Sequence, residues 1–167
     1  MMGAGKTTIG RRLAADLRAQ FFDMDSQIEL LAGVDIPEIF AREGERGFRA
    51  RESRVLQQCL ATAQNAGLIV STGGGVVTQA TNRDLLRAAG LRTIYLHAHP
   101  SLLFTRLQHD RKRPLLQNDD PRGTIERLYA SRDALYREVA TDIIDVQGRP
   151  QHTVKCILQL ISPRADS

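Results

Sequence analysis

The chain has 167 residues, a net charge of +4, 42 % apolar residues and 25 % charged residues, which is one domain of ordinary globular make-up. No run approaches the ~20 apolar residues that span a bilayer, and no charged segment precedes an apolar one as in a secretory signal. Aromatic residues make up 5 % and tryptophan is absent, which disfavours single-stranded nucleic acid, whose bases need stacking platforms.

The basic excess is peculiar in kind. Of 23 basic residues only Lys6, Lys112 and Lys155 are lysine, and the arginines are scattered along the chain. The guanidinium fork fits carboxylate and phosphate oxygens in pairs, so the modest basic excess also fits a small, highly anionic substrate. Cys59 and Cys156 have neither disulfide-scaffold nor metal-ligand spacing, and a reducing, cytoplasmic compartment is the expectation.

In chain order, residues 7–19 read as a helix with Ile9, Leu13 and Leu17 on one face. Phe21 and Phe22 read as a short strand running into Asp23-Met24-Asp25. Short helices follow over 26–31 and 36–41, and an amphipathic one over 52–63. Residues 68–70 read as a buried strand stopped by Gly73-Gly74-Gly75, residues 82–89 as a helix with Gly90 as left-handed cap, and 93–96 as a strand. Residues 102–107 read as helix, 111–123 as an exposed loop, 125–139 as helix, 143–146 as strand and 153–161 as a closing helix. Short strands alternating with helices, without hairpin turns, predict a three-layer α/β/α domain around a parallel sheet. One domain over 1–161 is expected, with a lid loop at about 109–123 and a frayed tail over 162–167.

Gly3-Ala4-Gly5-Lys6-Thr7-Thr8 is the second half of the phosphate-loop pattern G-x-x-x-x-G-K-[ST]. Glycines let backbone N–H groups converge on phosphate oxygens, and the helix that follows adds its free N–H groups. Lys6 would reach the β- and γ-phosphates and the Thr7 hydroxyl would ligate Mg²⁺. The pattern puts its first glycine, and the strand that feeds it, ahead of Met1. A truncated or mis-started chain is therefore the expectation, with five or six apolar residues ending in glycine upstream.

Asp23 and Asp25, two apart on a strand end, point to one side. One carboxylate could support Mg²⁺ and the other accept a proton from a hydroxyl; the competing reading makes Asp25 the cap of the next helix. Residues 44–52 carry three arginines, with Glu52 three positions after Arg49, although spacing alone favours a solvated charged face. The triple glycine is either a backbone that lets a ligand approach or a plain turn. Arg111-Lys112-Arg113-Pro114 would put cations on a closing loop or merely on a solvated one. Arg132 by itself is an ordinary helical arginine. His97 and His99 lack a third metal ligand nearby, and Cys59 lies on an apolar helix face and reads as core.

The order of these features carries more than any one of them. Gly-Ala-Gly-Lys-Thr-Thr-Ile-Gly-Arg, Phe-Phe-Asp-Met-Asp, Gly-Glu-Arg-Gly-Phe-Arg, Ser-Thr-Gly-Gly-Gly-Val-Val, Arg-Lys-Arg-Pro-Leu-Leu and Arg-Asp-Ala-Leu-Tyr-Arg-Glu-Val-Ala follow one another as they do in shikimate kinases, which the chain closely resembles from Met2 to about Leu160. That resemblance implies a P-loop fold of the nucleoside-monophosphate kinase type with a five-stranded parallel sheet. It implies transfer of the γ-phosphoryl group of ATP, with Mg²⁺, to the 3-hydroxyl of shikimate on the way to chorismate and the aromatic amino acids.

By the same resemblance Gly3, Ala4, Gly5, Lys6, Thr7 and Thr8 hold the nucleotide, and Thr7 and Asp23 serve Mg²⁺. Asp25 reads the shikimate hydroxyls and is the candidate base. Arg49 and Arg132 grip the shikimate carboxylate, Gly74 and Gly75 give backbone contacts, and Glu52 supports the gripping arginine. Arg113 reaches the phosphates from the lid, while Arg106 and Pro150, with Arg149 nearby, flank adenine. A cytoplasmic monomer without nucleic-acid or membrane partners is implied. The rivals are another small-molecule P-loop kinase such as a gluconate kinase, which would keep the nucleotide site and change the acceptor clamp, a non-catalytic binding protein on the same fold, and, last, a nucleic-acid-binding module.

Overall fold

The computed structural model describes residues 1–63, 67–108 and 114–162. Four short strands, β1 (Gln20–Asp23), β2 (Leu68–Ser71), β3 (Ile94–His97) and β4 (Asp142–Asp145), form two parallel pairs. In one pair Phe22 lies opposite Val70 and Asp23 opposite Ser71; in the other Leu96 lies opposite Ile144. The expected parallel strands are present, but as two separate two-stranded sheets rather than the five-stranded sheet that the resemblance implies.

Seven helices, α1 (Lys6–Leu17), α2 (Met24–Ala32), α3 (Ile36–Ala63), α4 (Ala80–Ala88), α5 (Pro100–Leu107), α6 (Pro121–Val139) and α7 (Pro150–Ile161), surround the strands among the described residues. Helix α1 packs on β1, β2 and α7, while α6 packs on α4 and α5. Ile9 and Leu13 of α1, Leu56 of α3, Leu103 of α5, Ile125 of α6 and Ile157 of α7 are all buried in one core, each worth about 1.5–3 kcal/mol when taken out of water.

Several elements depart from their expected bounds for local reasons. α1 stops at Leu17 because Arg18 takes a left-handed conformation, its N–H closing on Ala14 and Ala15. α2 starts at Met24, two residues early, because Asp23 caps it by accepting from the N–H groups of Asp25 and Ser26. The separate helices expected over 36–41 and 52–63 are one α3 segment. Gly44, at φ 68° and ψ −177°, kinks it, and helix resumes because glycine bears the positive φ without a Cβ penalty. α6 starts inside the expected loop, at Pro121, where Asp120 caps Gly123 at 2.9 Å. The first five lid residues, 109–113, and with them Arg113, lie outside the described residues, as does the expected tail from 163 onward.

Candidate functional site

The phosphate loop turns on Gly3 (φ 73°) and Gly5 (φ 89°), and Gly5 is the left-handed cap of α1. No side chain caps the first turn of α1, so its N–H groups point into the bend of the loop, where an anion would satisfy them. A Cβ on Gly3 would lie 2.9 Å from Leu107 of α5, so no larger residue fits there without displacing that side chain. Lys6 donates to the Met1 carbonyl at 2.8 Å, which folds its ammonium back along the loop. Thr8 is exposed in the first turn of α1 and Ala4 is buried beneath the loop.

The Thr7 hydroxyl donates to Asp23 Oδ2 at 2.8 Å. A hydroxyl and a carboxylate so close together form the partial oxygen set that Mg²⁺ takes while keeping several waters. The residues therefore fit the ion. Among the described residues no group of three or more His, Cys, Asp or Glu could hold a metal, and Mg²⁺ held by one hydroxyl and one carboxylate does not need one.

Strand alternation is the wrong reason for pairing Asp23 with Asp25. Only Asp23 ends a strand; Asp25 is in the first turn of α2. The cap, not the pleat, orients them, and they diverge. Asp23 faces the phosphate loop through Thr7, whereas Asp25 faces the glycine turn after β2. The cap of α2 is likewise Asp23 and not Asp25.

The triple glycine is the point of convergence. A Cβ on Gly73 would lie 2.5 Å from Glu52 Oε1 and 2.9 Å from Asp25 Oδ1, and one on Gly75 would overlap the Arg49 guanidinium. The Gly74 carbonyl accepts from Arg132 Nη1 at 3.0 Å and from the Tyr136 hydroxyl. Elements distant in sequence (α2, α3, the turn after β2, and α6) thus bring Asp25, Glu52, Arg49 and Arg132 to one place.

Arg49 and Glu52 do not lie on a solvated face. Their residues are 7 % and 0 % exposed, and Arg49 Nη1 donates to Glu52 Oε2 at 2.7 Å. Burial pushes the Glu52 carboxyl above its ordinary range, Arg49 pulls it back, and the charge of Asp25 adds to the rise. Burial works against the Arg49 charge as well, but Glu52 and Glu45 outweigh it and hold that guanidinium charged. Glu52 Oε1, aimed at the turn, has no hydrogen-bond partner, an unsatisfied acceptor of the sort that a ligand hydroxyl would fill.

Two participants were missed in the sequence. Glu45 accepts from Arg49 Nε at 3.3 Å and Nη2 at 3.0 Å, which puts an exposed carboxylate on the guanidinium edge left over by Glu52. A groove of about 470 Å³ opens there, lined by Glu45, Arg46, Arg49 and Thr78 among others. Asp25 and Arg132 do not line this groove; they meet Arg49 at the glycine turn. Tyr136, four residues after Arg132 and so on the same helix face, is stacked on Tyr95 with ring centroids 4.8 Å apart. Burial pushes its hydroxyl up to about 12, so it is a proton donor to Gly74 throughout the neutral range. Its spacing from Arg132 was the available signal.

α6 is tied to the strands beneath it. His97 Nε2 and the Tyr129 hydroxyl are 2.7 Å apart, and the other ring nitrogen of His97 meets Asp145. Tyr95 donates to Asp133 at 3.0 Å. These contacts fix the helix that presents Arg132. On the nucleotide side, Arg106 reaches the Gly3 carbonyl at 3.2 Å and the Gly148 carbonyl at 3.5 Å, spanning the phosphate loop and the turn after β4. Arg149 is the exposed N-cap of α7 and Pro150 its first residue. Cys59 is a core residue, its thiol pushed up to about 11 by burial.

A family model described as shikimate kinase matches residues 2–162. The chain is 49 % identical over 150 residues to a shikimate kinase of Cupriavidus pinatubonensis, an alignment covering 90 % of this chain and 76 % of the relative. It is 50 % identical over 159 residues to one of Bordetella pertussis, covering 95 % and 74 %. Among solved structures, shikimate kinase from Acinetobacter baumannii in complex with shikimate superposes with a TM-score of 0.90 at 45 % identity, over 96 % of this chain and 88 % of the other. The enzyme from Bacteroides thetaiotaomicron gives 0.85 at 31 %, over 97 % and 94 %.

Proposed function

This chain belongs to the shikimate kinase family, a family of ATP- and Mg²⁺-dependent kinases of shikimate, and we propose that its own residues divide that work as follows. The carrying observation is the meeting of Arg49, Arg132, Asp25 and Glu52 at Gly73 to Gly75, at a turn where a Cβ on Gly74 would lie 3.3 Å from the backbone nitrogen of Met2, just ahead of the phosphate loop. Acceptor and nucleotide residues therefore share a wall.

Shikimate carries one carboxylate and three hydroxyls. Arg49 and Arg132 take the carboxylate, as guanidinium forks do, and Glu52 holds Arg49 in place from behind. Asp25 and the backbone at Gly74 and Gly75 read the hydroxyls. The loop from Gly3 to Thr8 cradles the phosphates, with Lys6 on the β- and γ-oxygens and Arg113 reaching them from the lid. Arg106, Arg149 and Pro150 flank the adenine.

The 3-hydroxyl oxygen bonds to the γ-phosphorus while the bond from that phosphorus to the bridging oxygen of ADP breaks. Asp25 accepts the hydroxyl proton. Thr7 and Asp23 would hold Mg²⁺, which would supply charge neutralisation on the phosphates. Most of the rate comes from positioning and from cations meeting developing charge. The protein works as a cytoplasmic monomer on two small-molecule substrates. Among the described residues no helix is long and apolar enough to cross a membrane.

The test is ADP release, coupled to a pyruvate kinase and lactate dehydrogenase readout, with and without shikimate. Shikimate-dependent turnover is expected, and shikimate 3-phosphate should accumulate in equal amount. Intact ATP binding with no turnover would instead make this a binding protein on a kinase fold.

A further inference from the structure

The triple-glycine turn has no side chain with which to hold itself. Gly73 to Gly75 run into the 3₁₀ turn Val76–Thr78, and so short a turn leaves carbonyls that it cannot satisfy internally. Val76 and Val77 are 2 % and 1 % exposed, so those carbonyls need partners from elsewhere in the protein. Two consecutive residues of α4 supply them. Asn82 Nδ2 donates to the Val76 carbonyl at 3.0 Å, and Arg83 Nη1 donates to the Val77 carbonyl at 2.8 Å. Asn82 is fully buried, and its amide oxygen has no hydrogen-bond partner among the described residues. An apolar side chain would fill that place without leaving an acceptor unsatisfied. It could not bind the Val76 carbonyl, so the amide is explained by the turn it holds.

Arg83 also reaches α6. Its Nε lies 3.0 Å from Glu138 Oε2, and Glu138 shares α6 with Arg132 and Tyr136. α6 therefore meets the glycine turn twice. Arg132 and Tyr136 bind the Gly74 carbonyl directly, while Glu138 pairs with the arginine that binds the Val77 carbonyl. The turn, α4 and α6 thus close a ring of polar contacts, and in such a network no member shifts alone.

We propose that Asn82 and Arg83 are positioning residues of the acceptor site, holding the glycine turn at the spacing from α6 at which Arg132 reaches shikimate. The inference rests on the kinase reading for its ligand, but not for its geometry. Neither residue is assigned a contact with shikimate or nucleotide; both act through the turn. Arg132 is assigned to the carboxylate and not to the hydroxyl that reacts. Loosening it weakens the ground state and the transition state alike, which raises KM and leaves kcat nearly unchanged. Arg87 is a matched control. It lies on α4 and its Nη1 meets the same Glu138 at 2.6 Å, but among the described residues it makes no hydrogen bond to the turn.

Arg83→Met and Arg87→Met are compared with the parent by initial-rate kinetics in both substrates and by amide hydrogen exchange of Val76 and Thr78 without ligands. Those two amides close the turn on the Gly73 and Gly75 carbonyls. Each variant loses one ion pair to Glu138, so a role confined to tying α4 to α6 would move both alike. Only Arg83→Met is expected to raise KM for shikimate, by about tenfold, with kcat and KM for ATP close to the parent values. Only Arg83→Met should speed exchange of the two amides, by about fivefold or more. Asn82→Leu, of similar volume but without a donor, should do the same, and Arg83→Lys, which keeps a donor for the Val77 carbonyl, should recover part of the lost affinity. Equal KM for shikimate in Arg83→Met and Arg87→Met, or a raised KM without faster exchange, would overturn the proposal. A parent without shikimate-dependent turnover would refute the kinase reading instead; unequal exchange in the two variants would then still support the bracing of the turn, and equal exchange would overturn it.

Discussion

Replacing Arg49 by alanine separates the two tasks assigned to that residue. Its guanidinium holds Glu52 Oε2 at 2.7 Å in a place where Glu52 is 0 % exposed. Removing one partner of such a buried pair costs about 3–5 kcal/mol. At roughly 2–4 °C per kcal/mol for a chain of this size, Tm falls by about 6–20 °C. The loss is pH-dependent with a definite sign. Burial already raises Glu52 above 4.5, so its native form holds the proton more tightly than the unfolded chain. Its stabilising share is present below that pH and is lost as pH rises above it. Without Arg49 the carboxyl rises further, so the Tm deficit of Arg49→Ala is small near pH 4.5 and widens towards neutrality. The binding task is distinct. Charged hydrogen bonds are worth about 1.5–3 kcal/mol, so KM for shikimate rises about 10- to 150-fold with KM for ATP nearly unchanged. Adding Glu52→Gln removes the orphaned charge. The double variant therefore regains more than half of the lost Tm and flattens its pH dependence, yet keeps the raised KM for shikimate. Differential scanning fluorimetry across pH 4.5–8 and steady-state kinetics read both effects. A double variant that recovers shikimate affinity along with stability would refute the claim that Arg49 touches the substrate.

Glu45 occupies the edge of Arg49 to which the proposed function assigns the shikimate carboxylate, and its side chain is 60 % exposed. Such pairs are worth about 0.2–1 kcal/mol, so Glu45→Gln should lower KM for shikimate by up to about fivefold without moving Tm, as initial-rate kinetics will show; a raised KM would count against competition at that edge. Asp23→Asn keeps a side chain that caps α2 as well as aspartate does but loses the charge facing Thr7. Tm should stay close to the parent while the half-saturating Mg²⁺ concentration rises about 10- to 100-fold; Mg²⁺ titration of ADP release checks this, and an unchanged curve would remove Asp23 from the ion's surroundings.

The phosphate loop was legible because its chemistry is local. Gly3, Gly5, Lys6 and Thr7 are contiguous, and the positive φ of both glycines follows from the turn they make. The α/β alternation was legible for a similar reason, since each strand is a short apolar run between helices. The start of α2 was not. Two aspartates flanking a methionine suit a strand end and a helix cap equally, and the choice went to the cap because Asp23 reaches the N–H groups of both Asp25 and Ser26. The helices expected over 36–41 and 52–63 are one segment kinked at Gly44, whose positive φ only glycine takes without a Cβ penalty.

Arg49 and Glu52 show most clearly where local reasoning stops. Three positions apart on a helix rich in charge, they have the spacing of a solvated pair, and the spacing is right. What makes them a site is the arrival of β2 from another part of the chain, ending in three glycines so small that a carboxylate and a guanidinium fit where side chains would be. The glycines and the pair explain each other. Without the pair, three consecutive glycines after a buried strand would only cost backbone entropy. Without the glycines, the pair would have to stay in water or lose its charge. Tyr136 and Arg132 close the arrangement from α6 by binding the one carbonyl, that of Gly74, which the turn leaves pointing at them. The candidate acceptor site is therefore a property of the crossing of four segments, α2, α3, the turn after β2 and α6, and a substitution in any one of them should be read through its effect on the others.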